Sequence, residues 1–321
     1  MSELLEIKNL CIGFPHKSGE FTAVRDVSLT IRKNETVAVV GESGSGKSLT
    51  SLSVLGLLPE NSAVKSGSVL YNGRDVLSFS KKDWQQYRGR EVSMIFQDAM
   101  ALLNPGMKVG RQIAEGLHYH KLMDRSEQRV AVLELLRLVG FADPEHAYHQ
   151  YPHQLSGGMK QRVMIALAVS CKPKLIIADE PTTALDVTVQ KQVLDLLSSY
   201  KEETGTSVLL ITHDLGVVAE YADRVNVMYR GQIVESSDVY TLFDSPLHPY
   251  TKALMASIPA IGSTPERLKS IHDYMVESGG HNGMQFAPAT YGASPADEPP
   301  SRLVEVEPGH FVRFFREGAV V

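Results

Sequence analysis

Gly41-Glu42-Ser43-Gly44-Ser45-Gly46-Lys47-Ser48 follows four apolar residues, Val37-Ala38-Val39-Val40, and precedes a helix-compatible stretch from Leu49 to Leu58. Strand, glycine-rich turn and helix in that order make a phosphate-binding loop. The glycines let backbone N–H groups turn inward around phosphate oxygens, and the helix behind them presents its positive end. Lys47 is spaced to reach the outer phosphates, and Ser48 to ligate Mg²⁺.

Two more apolar runs resemble Val37–Val40: Leu175-Ile176-Ile177-Ala178 and Val208-Leu209-Leu210-Ile211. Such runs suit strands covered on both faces, as in a parallel sheet flanked by helices. Each ends in chemistry: the glycine-rich loop, Asp179-Glu180, and Thr212-His213. Ligands of open α/β sheets bind at the carboxyl ends of parallel strands, so three loaded strand ends point to one site. Val27, Leu29 and Ile31 instead alternate with polar residues, the period of a half-buried antiparallel strand.

Between residues 98 and 170 the pattern is helical. Val130, Leu133, Leu136 and Val139 are assigned to one face, Asp124 with Glu127 to a capping box, and Gly140 to a helix stop. Val225, Val227 and Tyr229 lead through Arg230-Gly231 to Ile233, a hairpin that would close the main domain. Accessory character begins at about residue 236. The expected division is a main domain over 1–255 and an extension over 256–321. The stretch from Gly279 to Pro300 holds four Gly and four Pro, the composition of a flexible segment. Strand character returns from Val304 to Phe315. The tail His310-Phe311-Val312-Arg313-Phe314-Phe315-Arg316 reads as an edge strand on the accessory region rather than a nucleic-acid patch.

The 321 residues are 43% hydrophobic and 21% charged, which excludes wholesale disorder. With 32 Lys plus Arg against 37 Asp plus Glu, the net charge of −5 excludes nucleic-acid binding by bulk charge. Two cysteines, Cys11 and Cys171, exclude a disulfide framework and fit a reducing compartment. The start, Met1 to Glu6, lacks the pattern of a signal peptide, and no apolar run approaches the roughly 18 residues of a membrane span. Membrane work is therefore expected to go through a partner. His118, His120, His146, His149 and His153 lack a compact metal-ligand spacing.

An Asp at the end of a buried strand can hold Mg²⁺ through water, and a neighbouring Glu can orient or deprotonate an attacking water. Asp179 and Glu180 take these roles. Leu155-Ser156-Gly157-Gly158-Met159 opens a further helix, where Ser and two Gly can bind phosphate. On physics alone, an ordinary N-cap explains Ser156 equally well.

Taken together these residues resemble the nucleotide-binding subunit of an ABC transporter. Ser156-Gly157-Gly158 resembles the ABC signature, which binds the ATP of a partner subunit. Gln97 resembles the Q-loop glutamine, a metal contact beside Ser48 and Asp179. Ala184-Leu185-Asp186 resembles the D-loop, His213 the switch histidine, and Phe14 the aromatic that stacks on adenine. The resemblance narrows to the oligopeptide/dipeptide/nickel importers through Leu103-Asn104-Pro105, Tyr151-Pro152-His153 and Leu247-His248-Pro249-Tyr250-Thr251. The versions at Met159 and at Thr212–Val218 are similar to the D-type subunit.

The resemblance implies a P-loop α/β fold with an antiparallel β subdomain, a helical subdomain over about 98–170 and a small C-terminal extension. It implies ATP and Mg²⁺ as ligands, and ATP hydrolysis that powers import of peptides, nickel or a related solute. It implies an F-type partner ATPase, two permease subunits and an external solute-binding protein, with the chain at the cytoplasmic face of a prokaryotic membrane. A soluble ABC ATPase of repair or translation is the rival from another class. It would need a long coiled-coil insertion or a second cassette. Ala99 and Leu102 depart from the usual Pro and Ser of their loop. This branch often carries a C-terminal cysteine cluster for an iron–sulfur centre, but no cysteine follows Cys171. The purified chain is expected to be colourless and iron-free. Stoichiometric iron with absorbance near ~400 nm would contradict this.

Overall fold

The computed structural model describes residues 3–16, 19–97, 102–183, 185–257, 274, 286 and 301–315. In chain order the elements are β1 (Glu3–His16), β2 (Gly19–Arg32), β3 (Thr36–Val40), α1 (Lys47–Val54), β4 (Ala63–Tyr71), β5 (Arg74–Asp75), α2 (Lys81–Tyr87), β6 (Val92–Ile95), α3 (Val109–Tyr119), α4 (Arg125–Leu138), α5 (Pro144–His149), α6 (Gly157–Val169), β7 (Leu175–Asp179), α7 (Val187–Thr204), β8 (Ser207–Thr212), α8 (Leu215–Tyr221), β9 (Arg224–Tyr229), β10 (Gln232–Asp238), α9 (Val239–Asp244), α10 (Pro249–Ala256), β11 (Ser301–Glu307) and β12 (His310–Phe315). They divide into two units. The first holds Arg32–Glu35 and Ser78–Ile211; the second holds Glu3–Ile31, Thr36–Leu77 and Thr212–Val321.

In the first unit, β6, β7 and β8 lie side by side and parallel, with Ile176 opposite Ser93 on one flank and Val208 on the other. Every residue of β7 and β8 is buried, as their unbroken apolar runs require. Ile113, Val132, Leu136, Val163, Ile176 and Leu197 share one core, which fastens the helices α3 to α7 onto this sheet. The Asp124–Glu127 capping box forms, and Gly140 ends the segment at φ 84°. Leu133, Leu136 and Val139 are buried, but Val130 is 57% exposed. The buried stripe runs Gln128, Val132, Leu136, and Val130 lies roughly 160° around the helix from Val132 at 100° per residue. Val130 therefore belongs to the opposite face.

In the second unit, β2, β1, β4 and β5 form one sheet, with β1 antiparallel to β4 (Leu5 opposite Tyr71). Val27, Leu29 and Ile31 point into its core, and the residues between them are half-buried. A second run of strands has the order β11-β12-β10-β9-β3. Here β3 is parallel to β9, and β9 turns through Arg230-Gly231 into antiparallel β10. Both turn residues have positive φ, 45° and 85°, which matches a tight hairpin turn.

The hairpin does not close this sheet. Strand β12 pairs with β10 (Glu235 opposite Val312) and with β11 (Val304 opposite Val312). The tail is thus an interior strand and not an edge. The reason is in its side chains: Val312, Arg313 and Phe314 are all buried. Arg316 and, except for Phe286, the stretch 279–300 lie outside the described residues. Among the described residues no helix is long and apolar enough to cross a membrane. Neither cysteine is in a disulfide.

Candidate functional site

The second unit carries Phe14, the loop from Gly41 to Ser48, and His213. The first carries Gln97, Ser156, Gly157, Gly158, Asp179, Glu180 and Asp186.

Strand β3 ends at Val40, and the chain wraps over the start of α1. The Lys47 ammonium is buried and donates to the carbonyls of Gly41 (2.8 Å) and Glu42 (2.9 Å). The loop's shape depends on missing side chains. A Cβ on Gly41, at φ 155°, would sit 2.0 Å from the Met228 carbonyl oxygen. A Cβ on Gly46, at φ 103°, would sit 3.1 Å from the Ala23 carbonyl oxygen. The hairpin turn supports the loop from below: the Gly231 N–H donates to the Ser45 carbonyl at 2.9 Å. Glu42, Ser43, Gly44 and Ser48 are exposed. Among the described residues, the buried Ser45 hydroxyl has no hydrogen-bond partner. A loop with an orphaned buried hydroxyl, a held lysine and an open rim suits a phosphate group. Phe14 is half-buried on β1, and His213 is exposed just beyond β8.

In the first unit Asp179 is the last, buried residue of β7, and Glu180 follows in a left-handed conformation, φ 46°. That backbone is unusual for a residue with a Cβ, and such strain collects at working sites. It turns the Glu180 carboxylate toward Gln97 and Thr183. The Gln97 amide donates to Oε2 at 2.9 Å and the Thr183 hydroxyl donates to the same oxygen at 3.0 Å. The Glu180 N–H donates to the Ile211 carbonyl, which ties this turn to β8.

Ser156 is the N-cap of α6: its hydroxyl accepts from the Met159 N–H at 3.3 Å. The N-cap role of that serine is thus formed, and it leaves Gly157 and Gly158 at the open helix start. A Cβ on Gly158 would lie 3.0 Å from a Val189 methyl, close enough that Val189 would have to give by a few tenths of an ångström. Asp186 caps α7 by accepting from the Val189 N–H. Ala184 lies outside the described residues. Gln161, one turn into α6, donates to the Pro181 carbonyl, so the signature helix is bonded to the turn that carries Glu180.

The Ser48 hydroxyl in the second unit, and the Asp179 carboxylate and Gln97 amide in the first, carry hard oxygen donors of the kind Mg²⁺ takes.

Four contributors were not singled out from the sequence: Thr183, Gln161, Gly231 and Tyr250. Tyr250 sits in Leu247-His248-Pro249-Tyr250-Thr251, noted only as a branch marker. It is fully buried and stacked on Tyr229 at 4.1 Å, and its hydroxyl accepts the Glu42 N–H at 3.0 Å. Burial pushes the Tyr250 phenol well above its ordinary range, so it stays neutral.

Comparison with known proteins gives the family and the fold. Residues 24–183 match the ABC transporter family, and residues 234–288 match the oligopeptide/dipeptide transporter C-terminal region. The oligopeptide transport ATP-binding protein AppD of Bacillus subtilis is 54% identical over 272 residues, 84% of this chain and 83% of the relative. The dipeptide transport ATP-binding protein DppD of Lactococcus lactis is 44% identical over 316 residues, 97% of this chain and 90% of the relative. Among solved structures, a dimeric post-hydrolysis state of the ATP-binding cassette MJ0796 bound to ADP and Pi superposes with a TM-score of 0.66. It is 27% identical and covers 73% of this chain and 98% of that one. The cbiO1 protein of Clostridium perfringens, part of an ABC transporter complex, has the same TM-score and identity and covers 76% of this chain and 92% of that one.

Proposed function

This chain belongs to the ABC transporter family, in its oligopeptide/dipeptide branch, and from that premise we propose that it is the ATPase subunit that powers peptide import through a membrane permease. The observation that carries the reading is the loop at 41–48, with its held Lys47 and orphaned Ser45 hydroxyl, in a chain that also carries the signature at 156–158.

In this reading the backbone N–H groups of the loop and the Lys47 ammonium bind the ATP phosphates, and Phe14 stacks on the adenine. Bound Mg²⁺ would neutralise phosphate charge, with Ser48, Asp179 and Gln97 as the residues that hold it. Glu180 takes a proton from the water that attacks the γ-phosphorus, while the bond to the bridging oxygen breaks and ADP leaves with that oxygen. His213 donates a hydrogen bond to the γ-phosphate. Ser156, Gly157 and Gly158 act on the nucleotide of a partner cassette, and Asp186 belongs to the same interface. An F-type ATPase is the partner we propose. Beneath two permease subunits, the pair would work at the cytoplasmic face of the membrane and serve an external solute-binding protein.

The test is ATP turnover by the assembled complex, with and without its permease and with no phosphate acceptor. Peptide-stimulated hydrolysis supports the reading; turnover indifferent to the permease contradicts it. Within it, Lys47→Ala removes charge-assisted contacts worth about 1.5–3 kcal/mol each, so MgATP binding is expected to weaken roughly ten- to a hundredfold. An unchanged dissociation constant in calorimetry would sink the role of Lys47.

A further inference from the structure

We propose that Tyr250 is a positioning residue for the phosphate loop, through which the C-terminal segment sets the affinity for ATP. This rests on the reading of residues 41–48 as the nucleotide loop. Glu42 is held at both ends of its residue. Its N–H donates to the Tyr250 hydroxyl at 3.0 Å, and its carbonyl accepts from the Lys47 ammonium at 2.9 Å and from the Ser45 N–H at 3.2 Å. The Glu42 carbonyl is one acceptor of the Lys47 ammonium; the Gly41 carbonyl, in the peptide whose N–H Tyr250 holds, is another. The hydroxyl of Tyr250 therefore fixes the orientation of the Gly41–Glu42 peptide that aims the loop's cation.

Tyr250 is itself fixed from the far end of the chain. The fully buried Glu235 carboxylate on β10 accepts from the N–H groups of Leu247 (2.8 Å) and His248 (3.0 Å) and pairs with His310 on β12 at 2.7 Å. The His248 ring then accepts the Tyr250 N–H at 3.1 Å, at the start of α10. A chain of buried and part-buried hydrogen bonds thus runs from the C-terminal hairpin to the phosphate loop, all within the second unit.

Tyr250→Phe keeps the ring on Tyr229 and removes only the acceptor. Expected results are an ATP dissociation constant and KM raised about three- to tenfold. The kcat of the assembled complex stays within about twofold, and the melting temperature stays close to that of the unmodified chain. Tyr229→Phe, which changes the same stack without touching the loop, should leave KM unaltered. Unchanged ATP affinity in Tyr250→Phe overturns the proposal. So does a loss that appears equally in Tyr229→Phe, or one that follows a lowered melting temperature with KM unmoved. Should Tyr250→Phe fail to fold, hydrogen exchange on the unmodified full chain decides: the Glu42 amide should be protected without nucleotide, and free exchange there overturns the proposal. Lys47→Ala in the same calorimetry separates the two readings. If it binds ATP like the parent, the phosphate-loop reading fails. If it loses affinity and Tyr250→Phe does not, only the role of Tyr250 fails.

Discussion

Glu180→Gln should bind ATP with undiminished affinity and hydrolyse it about 10²–10⁴-fold more slowly. The two hydrogen bonds from Gln97 and Thr183 converge on one oxygen of the carboxylate. A glutamine amide oxygen can accept both, so the local geometry has no reason to change. What disappears is the carboxylate's ability to take a proton, together with one negative charge that would face the γ-phosphate. The strained backbone, φ 46°, is kept because glutamine is the same size. The mutant complex should accumulate with ATP bound. His213→Ala should also slow turnover, through loss of a phosphate contact. The measurement is ATPase rate with nucleotide affinity on the assembled transporter. Near-normal hydrolysis removes Glu180 from the reaction, and lost binding makes it a structural residue.

Arg313→Ala should cost about 3 kcal/mol of stability, the scale of losing several charge-assisted hydrogen bonds and a packed stem. Arg313 is 1% exposed and donates to the Ile233 carbonyl at 2.8 Å, the Asp26 carbonyl at 3.2 Å and the Ser301 hydroxyl at 3.2 Å. Its ion pair with Asp26 contributes little, because that carboxylate is 41% exposed. The cost lies in the hydrogen bonds lost at the two carbonyls and in the buried stem. Arg313→Lys should not restore stability, since one ammonium cannot span partners arranged for a planar fork. Denaturant unfolding of the full chain checks this. A change under about 1 kcal/mol would mean that β11 and β12 are only lightly attached.

The sheet strands and the phosphate loop were legible because their signals are local. Val37–Val40, Leu175–Ala178 and Val208–Ile211 are apolar on every residue, short runs of the kind a doubly covered strand uses, and each ends in a polar turn. The 41–48 pattern needs no distant partner to be recognised, since its glycines, lysine and serine lie within eight residues of one another. The Asp124–Glu127 cap was readable for the same reason: donor and acceptor lie within one turn.

Long-range contacts set the rest. Val130 is apolar, but the neighbours of α4 bury the Val132 stripe and leave Val130 outside. The tail from His310 to Phe315 reads as a strand from its composition; its place inside the sheet comes from pairing with β10, more than seventy residues earlier. The left-handed turn at Glu180 is imposed by what surrounds it, including the bond to Ile211. Tyr250 and Glu42 are 208 positions apart, and no period or spacing connects them. By itself, then, the amino-acid sequence determined where the glycine-rich loop lies and which strands lie in the core, because both follow from chemistry within a few residues. Tertiary structure alone decided that the C-terminal hairpin lies in the same sheet as β3 and β9 and that its hydrogen bonds reach the phosphate loop. Those contacts exist only once distant buried polar groups must find partners out of water.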